Sequence, residues 1–139
     1  MKKFEFVDIT TADVAFIAYG STLNELFANA ALAMFEVMID TTGVKQKIKR
    51  KVEVQAEDLQ SLMFNWLNEL LVFVGAENLA FSRFDVKVDD RKFKLAAECV
   101  GEKMNAKIHE LKTEVKAMTY HKLEINKGKL WQAQVILDI

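Results

Sequence analysis

Three acidic groups stand at positions where a fold could gather them. Asp13 follows Thr11 and Ala12 at the mouth of an apolar stretch, Val14 to Tyr19, and Asp138 is penultimate, directly after Val135-Ile136-Leu137. A chain that ends on a core strand has a fixed terminus. The final main-chain carboxylate, on Ile139, would then be held close to that of Asp138. If the strand beginning near Asp13 lies beside the last strand, three carboxylates meet at one end of a sheet. Two like charges at 4 Å repel by about 4 kcal/mol at an effective dielectric near 20. Such a cluster takes up a proton, borrows a cation or binds a metal. Oxygen-only donors select a hard divalent ion such as calcium, magnesium or manganese. Spacing alone leaves the alternative open that these are separate surface acids, since aspartate is common at strand ends.

Other chemistry-bearing residues give less. Lys45, Lys47, Lys49 and Lys51 alternate along one strand face with Arg50 opposite, which suits either a phosphate contact or a charge-protected edge strand. No aromatic residue is interleaved to stack a base, so the edge-strand reading is preferred. Cys99, in an alternating apolar segment, reads as a buried structural thiol. His109 lies in a polar loop and His121 follows Tyr120 in a strand-like run; neither has a second histidine or cysteine at zinc-ligand spacing. Trp66 and Trp131 fall on apolar stripes and read as structural. Phosphate-loop, dinucleotide-fold, nucleophile-elbow, HExxH and CxxC patterns are absent.

The elements that must position these groups follow from periodicity. Residues 3–8 alternate, with Phe4 and Phe6 on one face, and residues 13–19 read as a second strand ended by Gly20. Thr22 with Glu25 makes a capping box, and Leu23, Leu26, Phe27, Ala30, Met34 and Met38 follow at helical spacing until 40–43. Residues 44–56 alternate as a strand. A second amphipathic helix starts at 57–58 and finds a natural stop at Gly75. Residues 79–88 and 92–100 read as a hairpin, 102–113 as irregular, and 114–125 with 130–138 as a closing hairpin. Sequential strands with two amphipathic helices predict an α+β two-layer sandwich, both helices on one face of a mostly antiparallel or mixed sheet.

Composition agrees. The 139 residues are 51% hydrophobic and 28% charged, enough to bury a core without staples and too apolar for disorder. With no proline and five glycines, nothing marks a linker, so residues 1–139 are expected to form a single domain. The single cysteine forbids an intrachain disulfide and fits a reducing compartment. No run of ~20 apolar residues predicts a membrane helix, and the start does not read as a signal peptide. A cytoplasmic location is therefore expected, with no membrane contact. The formal net charge of −1 lacks the basic excess of a nucleic-acid binder.

Several blocks together give a resemblance. Thr11-Ala12-Asp13 and Ala18-Tyr19-Gly20 are followed by Leu26-Phe27-Ala28-Asn29-Ala30-Ala31, Trp66-Leu67-Asn68-Glu69-Leu70-Leu71 and Gly101-Glu102. Glu114-Val115-Lys116-Ala117-Met118-Thr119-Tyr120-His121 and the terminal Val135-Ile136-Leu137-Asp138-Ile139 complete the set. In these blocks, from first strand to last residue, the chain resembles the archease family. The resemblance implies an accessory protein, not an enzyme, that assists an RtcB-type tRNA-splicing ligase by promoting its guanylylation and multiple turnover. It also implies a divalent metal, calcium foremost with magnesium or manganese as alternatives, held by Asp13, Asp138 and Ile139. Lys116 and His121 are candidate contacts to the partner's active site, and stable direct nucleic-acid binding is not expected. Many family members carry histidine before the Thr-Ala-Asp block where this chain has Thr10, so no role of that histidine carries over. Three competing readings are a general chaperone or modulator of RNA-processing enzymes, a small metal-dependent hydrolase with His121 as base, and RNA binding by the 45–51 strand.

Overall fold

The alternating N-terminal residues form one arm of a hairpin. β1 (Phe4–Val7) pairs antiparallel with β2 (Val14–Gly20), Phe4 opposite Ala18 and Val7 opposite Ala15. The computed structural model describes residues 2–10 and 13–139; Thr11 and Ala12 of the Thr-Ala-Asp block lie outside the described residues.

Gly20 ends β2 against the next helix, where a Cβ would stand 2.4 Å from the Leu26 backbone nitrogen. α1 (Leu23–Met38) is capped by Thr22, whose hydroxyl accepts the Glu25 N–H, while the Glu25 carboxylate accepts from the backbone and hydroxyl of Ser21. This is a capping box reaching one residue further back than the usual pair. A single 3-10 turn, Thr41–Gly43, leads to β3 (Ile48–Gln55). α2 (Leu59–Glu77) starts on Asp58, whose side chain accepts the Ser61 N–H. It runs past Gly75 to Asn78, which takes the left-handed conformation (φ 55°) and closes the helix through its N–H on the Val74 carbonyl. The expected stop at Gly75 is thus corrected by three residues, from Gly75 to Asn78: asparagine tolerates the left-handed cap.

β4 (Leu79–Asp89) and β5 (Lys94–Lys103) form the expected hairpin. The expected strand 114–125 is instead two pieces, β6 (Ala117–Met118) and β7 (Glu124–Lys127), both paired with β8 (Trp131–Asp138). Between these pieces, residues 119–123 stand opposite only Val135 and Ile136 of β8, so they are looped out of the ladder.

The class is α+β, as expected, and every strand pair is antiparallel. The strands divide between two sheets, β1-β2-β8-β6 with β7 also on β8, and β3-β5-β4. α1 packs against both, chiefly β2 and β4, and is buried on several sides. Phe35 of α1 meets Phe81 and Phe84 of β4, and Trp66 of α2 lies edge-on to Phe84. Fully burying such a side chain contributes about 1.5–3 kcal/mol. Trp66 is structural: fully buried, it donates its indole N–H to the Phe27 carbonyl and so ties the helices together. At Gly101 the backbone of β4 comes so close that a Cβ would sit 1.8 Å from the Ala80 carbonyl oxygen, next to the register shift between Phe81 and Arg83. No helix among the described residues is long and apolar enough to cross a membrane.

Candidate metal centre

β2 and β8 are neighbours, with Val14 opposite Leu137, Phe16 opposite Val135 and Gly20 opposite Trp131. One step beyond the Val14–Leu137 pair brings Asp13 level with Asp138. Asp13 is half-buried and Asp138 exposed, while Ile139 is half-buried and packs on the core. Asp138 is also opposite Ala117, and its carbonyl accepts the Lys116 N–H at 2.8 Å. The last strand is therefore clamped by β2 up to Leu137 on one edge and by β6 up to Asp138 on the other.

The condition set by the sequence is met: the strand after Asp13 lies beside the last strand, and Asp13, Asp138 and Ile139 come to one end of the sheet. Lys116 reaches this end through its backbone, with an exposed side chain. His121 does not; it stands on the looped-out 119–123 segment, exposed, with its N–H on the Thr119 hydroxyl. Asp8 was missed in the sequence. It shares an open concavity of about 440 Å³ with Phe6, Thr10, Asp13 and Val14. The signal was available in the hairpin register, since Val7 opposite Ala15 carries the next residue toward Asp13.

Among the described residues, no group of three or more Asp, Glu, His or Cys side chains stands together to hold a metal. The aspartate side chains at this end, Asp13 and Asp138, number two, and the main chain at Ile139 offers further oxygen atoms beside them. The donor chemistry, all oxygen and all anionic, fits calcium, magnesium or manganese and does not fit a soft metal.

The remaining candidates are structural. Lys49 and Lys47 pair with Glu98 and Glu102, and Arg50 forks onto Glu77. Three of the five cations of the basic segment are thus engaged by acids of the fold. Cys99 is buried and desolvation pushes its thiol up to about 12, so it is inert. His109 is a satisfied core residue. Its side chain is fully buried, Nδ1 accepts the Asn105 N–H at 2.9 Å, and Nε2 lies 2.9 Å from Glu102. An acceptor role for Nδ1 places the proton on Nε2, donating to the carboxylate. Backbone donation from Lys45 and the His109 contact hold Glu102 below the usual carboxylate range.

Comparison with known proteins gives the family of the whole chain. Residues 4–139 match the model of the Archease protein family (MTH1598/TM1083). The chain belongs to the archease family. It is 47% identical to the protein archease of Methanothermobacter thermautotrophicus and 44% identical to that of Sulfurisphaera tokodaii, each over the full length of both chains. The solution structure of Methanobacterium thermoautotrophicum protein 1598 covers all of both chains at 47% identity with a TM-score of 0.87. Membership in the archease family supports the general role the resemblance implied, an accessory to a tRNA-splicing RNA ligase. Asp13, Lys116 and Asp138 all fall inside the matched residues.

Proposed function

We propose that this chain is a metal-binding accessory protein that activates an RtcB-type tRNA-splicing ligase, promoting its guanylylation by GTP and hence its multiple turnover. The chemistry belongs to the ligase; this chain is an activator and not an enzyme. One observation carries the reading: the β2–β8 register brings Asp13 level with Asp138 at the terminus, while β6 fixes the opposite edge through the Lys116 N–H. A hard divalent ion bound there, calcium or else magnesium or manganese, would supply positive charge for phosphate oxygens.

The chain's own residues do the rest. Asp13, Asp138 and the Ile139 carboxylate hold the ion on a rigid strand pair, so little ordering is needed on binding. Lys116, beside them, offers a compact point charge to a phosphate or acidic group of the partner. His121, further along, is a candidate contact with the same active site. A tip of this kind, entering a ligase site built around metals and GTP, favours the guanylylation-ready arrangement by binding it more tightly than the alternatives. The chain works in the cytoplasm, where the ligase and its RNA are.

The test is a reconstituted ligation assay with substoichiometric cognate ligase, RNA ends bearing a 3′-phosphate and a 5′-hydroxyl, and GTP. Addition of the wild-type chain should raise product beyond one turnover per ligase, and Asp13→Asn should lose that effect. Full activity of Asp13→Asn would refute the tip mechanism, and no gain with wild type would remove the function. Suppression of aggregation for several unrelated clients, independent of Asp13, would point to the general chaperone instead.

A further inference from the structure

The segment looped out opposite Val135 and Ile136 presents a flat aromatic face. Tyr120 lies parallel to Phe64 of α2, ring centroids 4.1 Å and planes 4° apart. Phe64 covers one face of the ring, yet 54% of Tyr120 stays exposed, which leaves the other face open. The ring is held in this pose. The Leu123 N–H donates to the Tyr120 carbonyl, Lys122 takes the left-handed turn position (φ 53°), and the Gln134 side chain donates to the Lys122 carbonyl at 2.9 Å. Leu123 then anchors the turn in the core.

The surroundings favour a particular ligand. His121 and Lys122 adjoin the ring in sequence, and Lys116 precedes it; all three are exposed. On α2, the exposed neighbours one turn either side of Phe64 are Gln60 and Asn68, uncharged amides. An apolar protein partner would meet a broad apolar patch, but among α2's large apolar residues only Val72 is exposed. A flat π-face with cations close to it in sequence and amides beside its stacking partner suits the bases of single-stranded nucleic acid. The 45–51 strand lacked such an aromatic, and its Lys47, Lys49 and Arg50 are paired with acids.

Resting on the ligase-accessory reading, we propose that the open face of Tyr120 stacks an unpaired base near the RNA end being joined, with Lys116 and Lys122 meeting adjoining phosphates. The four-residue path from Lys116 to Tyr120 spans at most roughly 14 Å, about four stacked nucleotides. One RNA end therefore reaches both the platform and the Asp13–Asp138 end of the sheet, where the Lys116 N–H is bonded. A single stacked base gives weak binding alone, in keeping with no stable RNA complex, and adds to the ligase's own hold.

The first arm of the test needs no ligase; a second measures ligase affinity and turnover with the same variants. A short single-stranded oligoribonucleotide with 2-aminopurine beside its 3′-phosphate is titrated with the full chain at low salt, since stacking quenches that base. Wild type and Tyr120→Phe should quench and bind alike, while Tyr120→Ala should bind roughly tenfold more weakly or worse. Tyr120→Phe keeps the Phe64 stack, so a folding defect in the alanine variant is separable by its thermal melt. Equal binding by Tyr120→Ala, or no quenching by wild type, would overturn the platform. Loss of ligase affinity in Tyr120→Ala without RNA binding by wild type would assign the face to a protein contact and equally overturn it. Binding through Tyr120 with no gain in ligase turnover would leave the platform standing and remove the ligase reading.

Discussion

Removing Glu102 should destabilise the fold far more than removing any other acid in the described chain. Its side chain is about 6% exposed and accepts the Lys45 N–H at 2.7 Å and His109 Nε2 at 2.9 Å. Glu102→Ala leaves both donors without an acceptor. Each such orphaned donor costs about 1–3 kcal/mol, so the variant should lose roughly 3 kcal/mol. That is a large share of the ~5–15 kcal/mol expected for a domain, and it corresponds to a fall in Tm on the order of 10 °C. Glu102→Gln should lose less, about 1–2 kcal/mol, because its carbonyl oxygen keeps one donor while its amide faces the other. Urea unfolding followed by tryptophan fluorescence measures both, and Trp66 in the core is a suitable probe. A loss under about 0.5 kcal/mol for Glu102→Ala would refute the reasoning. A double-mutant cycle with His109→Ala should then return a coupling of about 1 kcal/mol or more, since the two side chains share one hydrogen bond.

The same carboxylate sets a pH dependence. Its folded value lies below its unfolded one, so its contribution is present above the unfolded value near ~4.3 and is lost as pH falls through the folded value; acid titration of unfolding should show wild type losing stability below about pH 4 more steeply than Glu102→Gln. Cys99, pushed up to about 12 and buried, should stay unmodified by a thiol reagent at pH 8 until the chain unfolds, and rapid labelling of the native chain would contradict its burial. Gly101→Ala should fail to fold or lose more than about 3 kcal/mol, because the clash at 1.8 Å is with the Ala80 carbonyl and not a flexible side chain; a near-native thermal melt would show that β4 can move away.

The local signals were legible wherever they repeat. α1 was readable because a cap and a helical stripe fall together at Thr22, Glu25 and Leu26 to Met38. The β4–β5 hairpin was readable from alternation and its polar turn. Gly75 misled because a glycine inside a helix looks like an end, whereas Asn78 supplied the left-handed cap and a side-chain bond to the Met104 carbonyl. The 114–125 run misled because its alternation continues through residues that the Tyr120–Leu123 turn expels from the ladder. Division into two sheets was not legible: alternation says which face a strand buries, not which strand it pairs with. At the candidate site, Asp13 and Asp138 were legible on condition that two strands met. The Glu102–His109 pair was not, because Glu102 lies near the end of β5 while His109 lies in an aperiodic loop that leaves no pattern.

The central claim is that Asp13 and the chain's end form one ion site, and a calorimetric titration tests it most directly. Calcium is titrated into wild type, Asp13→Asn and Asp138→Asn at constant ionic strength. One ion per chain should bind to wild type, and either variant should bind about tenfold more weakly or worse, because each removes one of three anionic donors. Wild-type affinity in both variants, or no saturable binding of calcium, magnesium or manganese to wild type, would contradict it.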